Sequence, residues 1–161
     1  MNASALAPAA DFIAIVDALY RFGAGQDLRD RALFESAFSL DAVLDFTQPA
    51  RLLGVDIAPF AGRSAIAESV FTAIDGLDTT HTVTNPRVTA FDGAHAGLYA
   101  LVEAQHLPRE DLSRHLLLKH IYMLKLSRQG DAWAIDHMRI EMVWFTGDPA
   151  VLFPAADADR A

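Results

Sequence analysis

The change of hydrophobic period at Gly76 is the feature that most constrains the fold of this chain. Before Gly76, apolar residues recur every three to four positions, as they do on one side of a helix. After it come four strand-like runs, at about residues 80–91, 95–106, 113–127 and 132–145. The short turn sequences "FDGAH", "LPREDLS" and "RQGDA" separate these runs, so they predict an antiparallel sheet.

The first half of the chain is predicted to be mainly helical. A helix is expected from Asp11 to the glycines of "GAGQD", a second over about residues 28–38 and a third over 62–74. Between the last two, residues 41–46 are typical of a strand, and residues 47–62 of a loop with a short strand near 57–60. This order predicts an α+β fold with helices on one face of a curved sheet.

Length and composition limit the kind of protein. At 161 residues, one domain is expected over residues 10–146, between a flexible N-terminus (1–9) and an irregular tail (147–161). The net charge of −8 argues against nucleic acid as a partner. No apolar run is long enough for a membrane span and no signal peptide is recognised, so a cytoplasmic protein that does not bind membranes is expected.

A histidine in the segment "TTHTVTN", residues 79–85, is the first candidate for chemistry. In a strand, His81 shares one face with Val83 and Asn85, while threonines occupy the other face. The spacing leaves two interpretations open: a hydrogen-bonded, partly exposed histidine without a role, or a functional group.

Two further polar rings lie on the more apolar face of "RHLLLKHIYMLKL". His120 and Tyr122 alternate there with leucines, and a buried ring of either kind needs a polar partner. Two interpretations stay open: the two rings line a pocket, or they are core residues whose polar atoms bond each other or the backbone.

In the last strand, Arg139 and Glu141 share a face with apolar residues. Four interpretations of Arg139 and Glu141 stay open: they form an ion pair, they face a water-filled cavity, they contact another subunit, or they are exposed to solvent.

Metal and cofactor motifs are missing from the sequence. The chain has no cysteine and no HxH or HxxxH spacing, so no metal site is predicted. It also has no GxGxxG, GxxxxGK[ST] or GxSxG segment, so no nucleotide cofactor is predicted.

Four segments in order resemble the SnoaL-like proteins of the nuclear-transport-factor-two-like superfamily: "YRFGAGQDLRDRALFESAFSLDAVLDF", "FAGRSAI", "THTVTNPRV" and "DAWAIDHMRIEMVWF". The resemblance covers about residues 10–146. It is nearest to the group that contains scytalone dehydratase, hexachlorocyclohexane dehydrochlorinase and bile-acid 7α-dehydratase. It implies a cone-shaped barrel: a strongly curved, mixed, mostly antiparallel sheet, with about three helices of the N-terminal half closing a pocket.

The resemblance also implies a catalytic pair. The family's aspartate after the first helix falls on Asp27, and its histidine at the start of a later strand falls on His81. A neutral imidazole can remove a proton from carbon, while a carboxylate fixes its tautomer and stabilises the imidazolium. The substrate-binding residues expected around this pair are Tyr20, Phe46, His120, Tyr122 and Arg139. Tyr20, His120 or Tyr122 would donate a proton to the leaving group, and Arg139 would hold a carbonyl or carboxylate.

The function expected from this resemblance is a cofactor-free lyase, of dehydratase or dehydrohalogenase type, acting on a small, largely apolar cyclic molecule. An isomerase or cyclase, or a non-catalytic ligand-binding or interaction domain of the same fold, stays open, because the fold does not decide the chemistry. A homodimer or homotrimer is expected, with contacts through Leu117, Ile121 and Met123 if that side of the sheet faces outward.

Overall fold

A computed structural model describes residues 6–154 of the protein. Its helices are α1 (Ala9–Asp27), α2 (Arg31–Ser36), α3 (Thr47–Leu52) and α4 (Arg63–Ala73). Its strands are β1 (Phe38–Asp45), β2 (Phe60–Ala61), β3 (Leu77–Phe91), β4 (His95–Pro108), β5 (Leu116–Gln129) and β6 (Ala132–Gly147). A 3-10 turn over Pro149–Val151 follows β6. Among the described residues, no helix is both long and apolar enough to cross a membrane.

All six strands form one sheet in the order β2–β1–β6–β5–β4–β3. Neighbours are antiparallel except for β1 and β6, which run parallel. The α+β class and the mixed, mostly antiparallel sheet are therefore confirmed. The sheet does not close on itself, because β2 and β3 remain as its two edges.

Strand alternation determines which side of the sheet is buried. In β5 every second residue from Leu116 to Leu126 is buried, and the residues between them are partly or fully exposed. The buried side packs against α1, whose inward residues include Ile15, Leu19 and Phe22. Residues on the opposite side, such as Ile121 and Met123, face outward. Leu117, Ile121 and Met123 therefore lie on the outer side of the sheet, which is the position that the expected subunit contact requires.

A bulge in β6 changes the phase of its alternation. Lys125 pairs with His137 and Leu126 pairs with Ile135, so Asp136 is an extra residue in the ladder. Trp133 and Ile135 are buried before the bulge, and Met138, Ile140 and Met142 are buried after it. A strict two-residue period, as assumed from the sequence, places Arg139 on the face of Trp133, but the bulge turns it to the outer face.

The structure differs from the prediction at α1 and α3. Helix α1 continues through "GAGQD" to Asp27 despite its two glycines, because both pack tightly against neighbouring elements. The predicted loop over residues 47–62 contains α3, which begins where Asp45 accepts hydrogen bonds from the backbone N–H and the hydroxyl of Thr47, at 3.0 and 2.7 Å. Helix α3 adds a fourth helix to the three expected.

Candidate active site

The inner side of the sheet and the helices enclose a cavity of about 730 Å³. This volume is in the range typical of small-molecule sites. Its apolar lining comes from α1, β1, β5, β6, the α3–α4 region and the C-terminal turn, and includes Phe22, Leu44, Phe46, Val55, Ile57, Phe60, Ile74, Leu118, Ile140, Val151, Leu152 and Phe153. Its buried polar lining comes from Gln26, His81, His106, His120 and Tyr122.

Asp27 and His81 meet at the edge of this cavity, although 54 residues separate them in the chain. Asp27 Oδ1 lies 2.7 Å from His81 Nδ1, and Asp27 Oδ2 accepts a hydrogen bond of 2.8 Å from the backbone N–H of His81. The His81 side chain is 4% exposed and lines the cavity. Since a carboxylate accepts hydrogen bonds, Nδ1 carries a proton in this pair, and in the neutral form of the ring Nε2 holds the lone pair.

Two glycines allow the end of α1 to come this close to its neighbours. A Cβ atom at Gly23 would lie 3.1 Å from His81 Cβ, which is tighter than ordinary van der Waals contact. A Cβ atom at Gly25 would lie 2.6 Å from the backbone of Phe34 in α2. Glycine has a low helix propensity, but the lack of a side chain at these two positions allows the end of α1, and with it Asp27, to approach β3.

A second group of hydrogen bonds, which involves Thr79 and Arg29, fixes the position of Asp27. The Thr79 hydroxyl donates to Asp27 Oδ1 at 2.9 Å. Arg29, in the left-handed conformation with φ of 56°, donates to Thr79 Oγ1 at 3.3 Å and to the carbonyl oxygens of Gln26 and Leu77. Arg29 thus joins the end of α1 to the start of β3, the two elements that carry the pair.

The ionisation of Asp27 follows from these contacts. Burial alone raises the pKa of its carboxyl group, because burial disfavours the charged form. Hydrogen bonds from the ring and backbone of His81 and from Thr79, with the charge of the ring, outweigh burial and hold the pKa of Asp27 below its ordinary value. Asp27 is therefore a carboxylate at neutral pH.

His106, for which the sequence predicts no role, is the third histidine of the cavity. It is 4% exposed, and its ring centroid lies 6.3 Å from that of His81. Burial, then the charge of His81, lower the pKa of His106 to about 4, so it is neutral at pH 7. The alternation of β4 would have indicated it, because His106 falls on the same buried face as Leu98, Val102 and Ala104.

His120 and Tyr122 lie side by side on β5, with ring centroids 5.7 Å apart, and both line the cavity. Burial, then the charges of His106 and His81, lower the pKa of His120 to about 3. Burial raises the pKa of Tyr122 far above its ordinary value. Both rings are therefore uncharged at neutral pH.

Phe46 also lines the cavity, with its ring centroid 5.8 Å from that of His120. Tyr20 and Arg139 do not. Tyr20 projects from the outer side of α1 and is 49% exposed. Arg139 lies on the outer face of the sheet, where it pairs with Glu141 at 2.7 Å. Within residues 6–154, no three His, Asp or Glu side chains are grouped closely enough to hold a metal ion.

Comparisons with known proteins agree with this fold. The model of the SnoaL-like domain family matches residues 8–139. Terrestric acid biosynthesis cluster protein E of Penicillium crustosum is 33% identical over 156 residues, which cover 91% of this chain and 92% of that protein.

Two solved structures share this fold at lower sequence identity. Hexachlorocyclohexane dehydrochlorinase LinA type 2 is 18% identical with a TM-score of 0.72, over 86% of this chain and 88% of that one. A scytalone dehydratase-like protein from Novosphingobium aromaticivorans DSM 12444 is 14% identical with a TM-score of 0.73, over 84% of this chain and 86% of that one.

Proposed function

This chain belongs to the SnoaL-like domain family, and we propose that it is a cofactor-free lyase that converts a small, largely apolar cyclic molecule. The observation that carries the proposal is the 2.7 Å contact between Asp27 Oδ1 and His81 Nδ1 at the edge of a mostly apolar cavity. The similarity to a protein of a biosynthesis cluster and the shared fold with a dehydrochlorinase support a small-molecule substrate.

In the proposed reaction, His81 Nε2 takes a proton from a substrate carbon next to an electron-withdrawing carbonyl group. The electron pair of the broken C–H bond forms the new double bond, and the leaving group departs from the neighbouring carbon with the electrons of its own bond. Asp27 keeps the proton of Nδ1 in place and stabilises the imidazolium that forms.

A hydroxide leaving group needs a proton as it departs. Tyr122 and His120 are the candidates from the sequence that lie in the cavity, whereas Tyr20 is outside it. We assign this donor to Tyr122, because it brings a phenolic O–H group to the cavity lining, whereas the neutral imidazole of His120 is a very weak acid. A halide leaving group needs no such donor, so a dehydrohalogenase would not depend on Tyr122.

The test uses His81→Ala, Asp27→Asn and the wild type against a panel of β-hydroxy ketones and halogenated rings. Each dyad variant should reduce kcat/KM by about a hundredfold or more, because a general base contributes at least that factor. His95→Ala is the matched control, since this exposed histidine lies at the start of β4, away from the cavity. Circular dichroism checks that the variants are folded.

The products distinguish the alternatives left open by the fold. Mass spectrometry shows loss of water or hydrogen halide for a lyase and an unchanged mass for an isomerase. Wild-type rates in both dyad variants would contradict the proposal. Binding without any conversion across the panel would instead favour a non-catalytic ligand-binding domain.

A further inference from the structure

His120 is a buried polar ring without a protein partner. It is 2% exposed, and neither of its ring nitrogens has a hydrogen-bond partner among the described residues. Buried polar groups are nearly always paired, because an unpaired one loses its bonds to water without replacement. The ring lines the cavity, so a molecule bound there can supply the missing partner.

The surroundings of His120 determine which partner fits. The ring lies between Phe46 and Tyr122, with centroid distances of 5.8 and 5.7 Å. Burial keeps the imidazole neutral, with its pKa lowered to about 3. A neutral imidazole offers one N–H donor and one lone-pair acceptor, so it pairs with a hydroxyl or a carbonyl oxygen.

The charges around the cavity argue against an anionic ligand. The charged residues in its lining are Glu68, Asp75 and the histidines when protonated, and no Lys or Arg of the described residues lines it. A carboxylate moved from water into this apolar space would lose its solvation without a fixed cation to replace it.

We propose that the cavity binds an uncharged ring with oxygen atoms at two places, one at the reacting end beside His81 and a second that hydrogen-bonds to His120. This inference deepens the proposed function and rests on it for the position of the reacting end. His120 is then a specificity-determining residue, which selects oxygenated rings over plain hydrocarbons.

Binding of small probes tests the proposal whether or not the protein converts them. Isothermal titration calorimetry compares the wild type, His120→Leu and His120→Gln with indane, with a set of hydroxyindanones that differ in oxygen spacing, and with indane-2-carboxylate. His120→Leu should weaken at least one hydroxyindanone by about tenfold, as for one lost buried hydrogen bond, and leave indane within about twofold. His120→Gln, which keeps a donor and an acceptor, should recover most of the loss.

A stability measurement separates recognition from folding. Because His120→Leu removes an unpaired buried polar group, its Tm should rise by about 2–6 °C while binding of the hydroxyindanone falls. His95→Leu, at an exposed position, is the control and should change neither quantity.

Three results would overturn the proposal: equal weakening of indane and every hydroxyindanone by His120→Leu, no weakening of any of them, or tightest wild-type binding of the carboxylate. Failure of the lyase is distinguishable from these results. A protein that binds hydroxyindanones through His120 and converts nothing in the activity panel would refute the lyase and retain this inference.

Discussion

Asp27 receives three hydrogen bonds, from the ring of His81, the backbone of His81 and the hydroxyl of Thr79. A carboxylate with three donors is fixed in orientation and has little freedom to rotate away from the imidazole. In the proposed mechanism, this fixed carboxylate determines which nitrogen of His81 is available to the substrate. Thr79 is therefore a positioning residue that acts through Asp27.

Thr79→Val removes the hydroxyl and keeps the shape of the side chain. We expect the pKa of Asp27 to rise, because a donor to the charged form is lost, and the free energy of unfolding to fall by about 1 kcal/mol. Carbon-13 NMR titration of the carboxyl group and urea unfolding measure the two effects. Thr79→Ser should restore both values, and Thr82→Val, at an exposed position of β3, should leave them unchanged. An unaltered Asp27 titration in Thr79→Val would contradict the role of this hydroxyl.

The buried histidines make the stability depend on pH. The pKa values of His106 and His120 are lowered to about 4 and about 3 in the folded protein, against about 6.5 in an unfolded chain. Below about pH 6.5 the unfolded state therefore binds more protons than the folded state. Acidification then favours unfolding by about 1.4 kcal/mol per pH unit for each histidine.

Urea unfolding from pH 7.5 down to pH 4.5 should therefore show a steep loss of stability that begins near pH 6.5. His120→Leu should remove about half of this slope, because one of the two buried histidines no longer titrates. The exposed His95, replaced by Leu, is the control and should keep the slope of the wild type. A flat profile between pH 6.5 and 4.5 in the wild type would show that these rings are solvated.

At the scale of elements, regular periodicity could be predicted and interruptions of it could not. The alternation of β5 placed His120 and Tyr122 on one buried face from sequence alone. The same rule failed for Arg139, because the extra residue Asp136 shifts the phase of β6, and the sequence gives no local sign of that bulge. Only the family resemblance points to Asp27, since no periodicity links a residue of α1 to one of β3.

The glycines of α1 show the same limit of prediction from sequence. Propensity predicts that two glycines weaken the end of a helix, but it contains no information on what packs against them. In the structure the lack of a side chain at Gly25 allows contact with the backbone of Phe34, and at Gly23 it allows contact with His81.

Gly25→Ala should lower the free energy of unfolding by about 2–3 kcal/mol, because its Cβ would lie 2.6 Å from the Phe34 backbone, which cannot rotate away. Gly23→Ala should have a smaller effect on stability, since its Cβ would lie 3.1 Å from a side-chain carbon, a milder strain that the gain in helix propensity of about 1 kcal/mol largely offsets. Its contact is with His81 itself, so it should instead reduce activity. Urea unfolding and kcat/KM of both variants test this contrast. Equal stability losses would mean that α1 moves as a rigid body.

At the scale of the whole molecule, the two sides of the sheet differ in what covers them. The inner side is covered by the helices and the C-terminal turn, which together enclose the cavity. The outer side has a partly exposed central strip of apolar residues, namely Tyr99, Leu101, Leu117, Ile121 and Met123. Two pairs of opposite charges lie near this strip, Lys119 with Glu103 and Arg139 with Glu141, so these four residues add no net charge to it.

A face of this kind suits self-association, because apolar strips with balanced charges can be buried without an unpaired ion. We therefore expect a homodimer or homotrimer whose subunits meet through the outer side of the sheet. Ile121→Lys should convert it to monomers, since a lysine at the centre of the strip would have to lose its hydration on association. Sedimentation velocity over a range of concentrations measures the change.

Leu112→Lys is the matched control for this experiment, because Leu112 is also an exposed apolar residue but lies in the loop between β4 and β5. It should sediment as the wild type does. If the wild type were monomeric at all concentrations, or if both variants behaved alike, the outer face would not be the contact. Because Ile121 points away from the cavity, its variant should keep the ligand affinity of the wild type. A loss of ligand binding together with dissociation would mean that association supports the shape of the cavity.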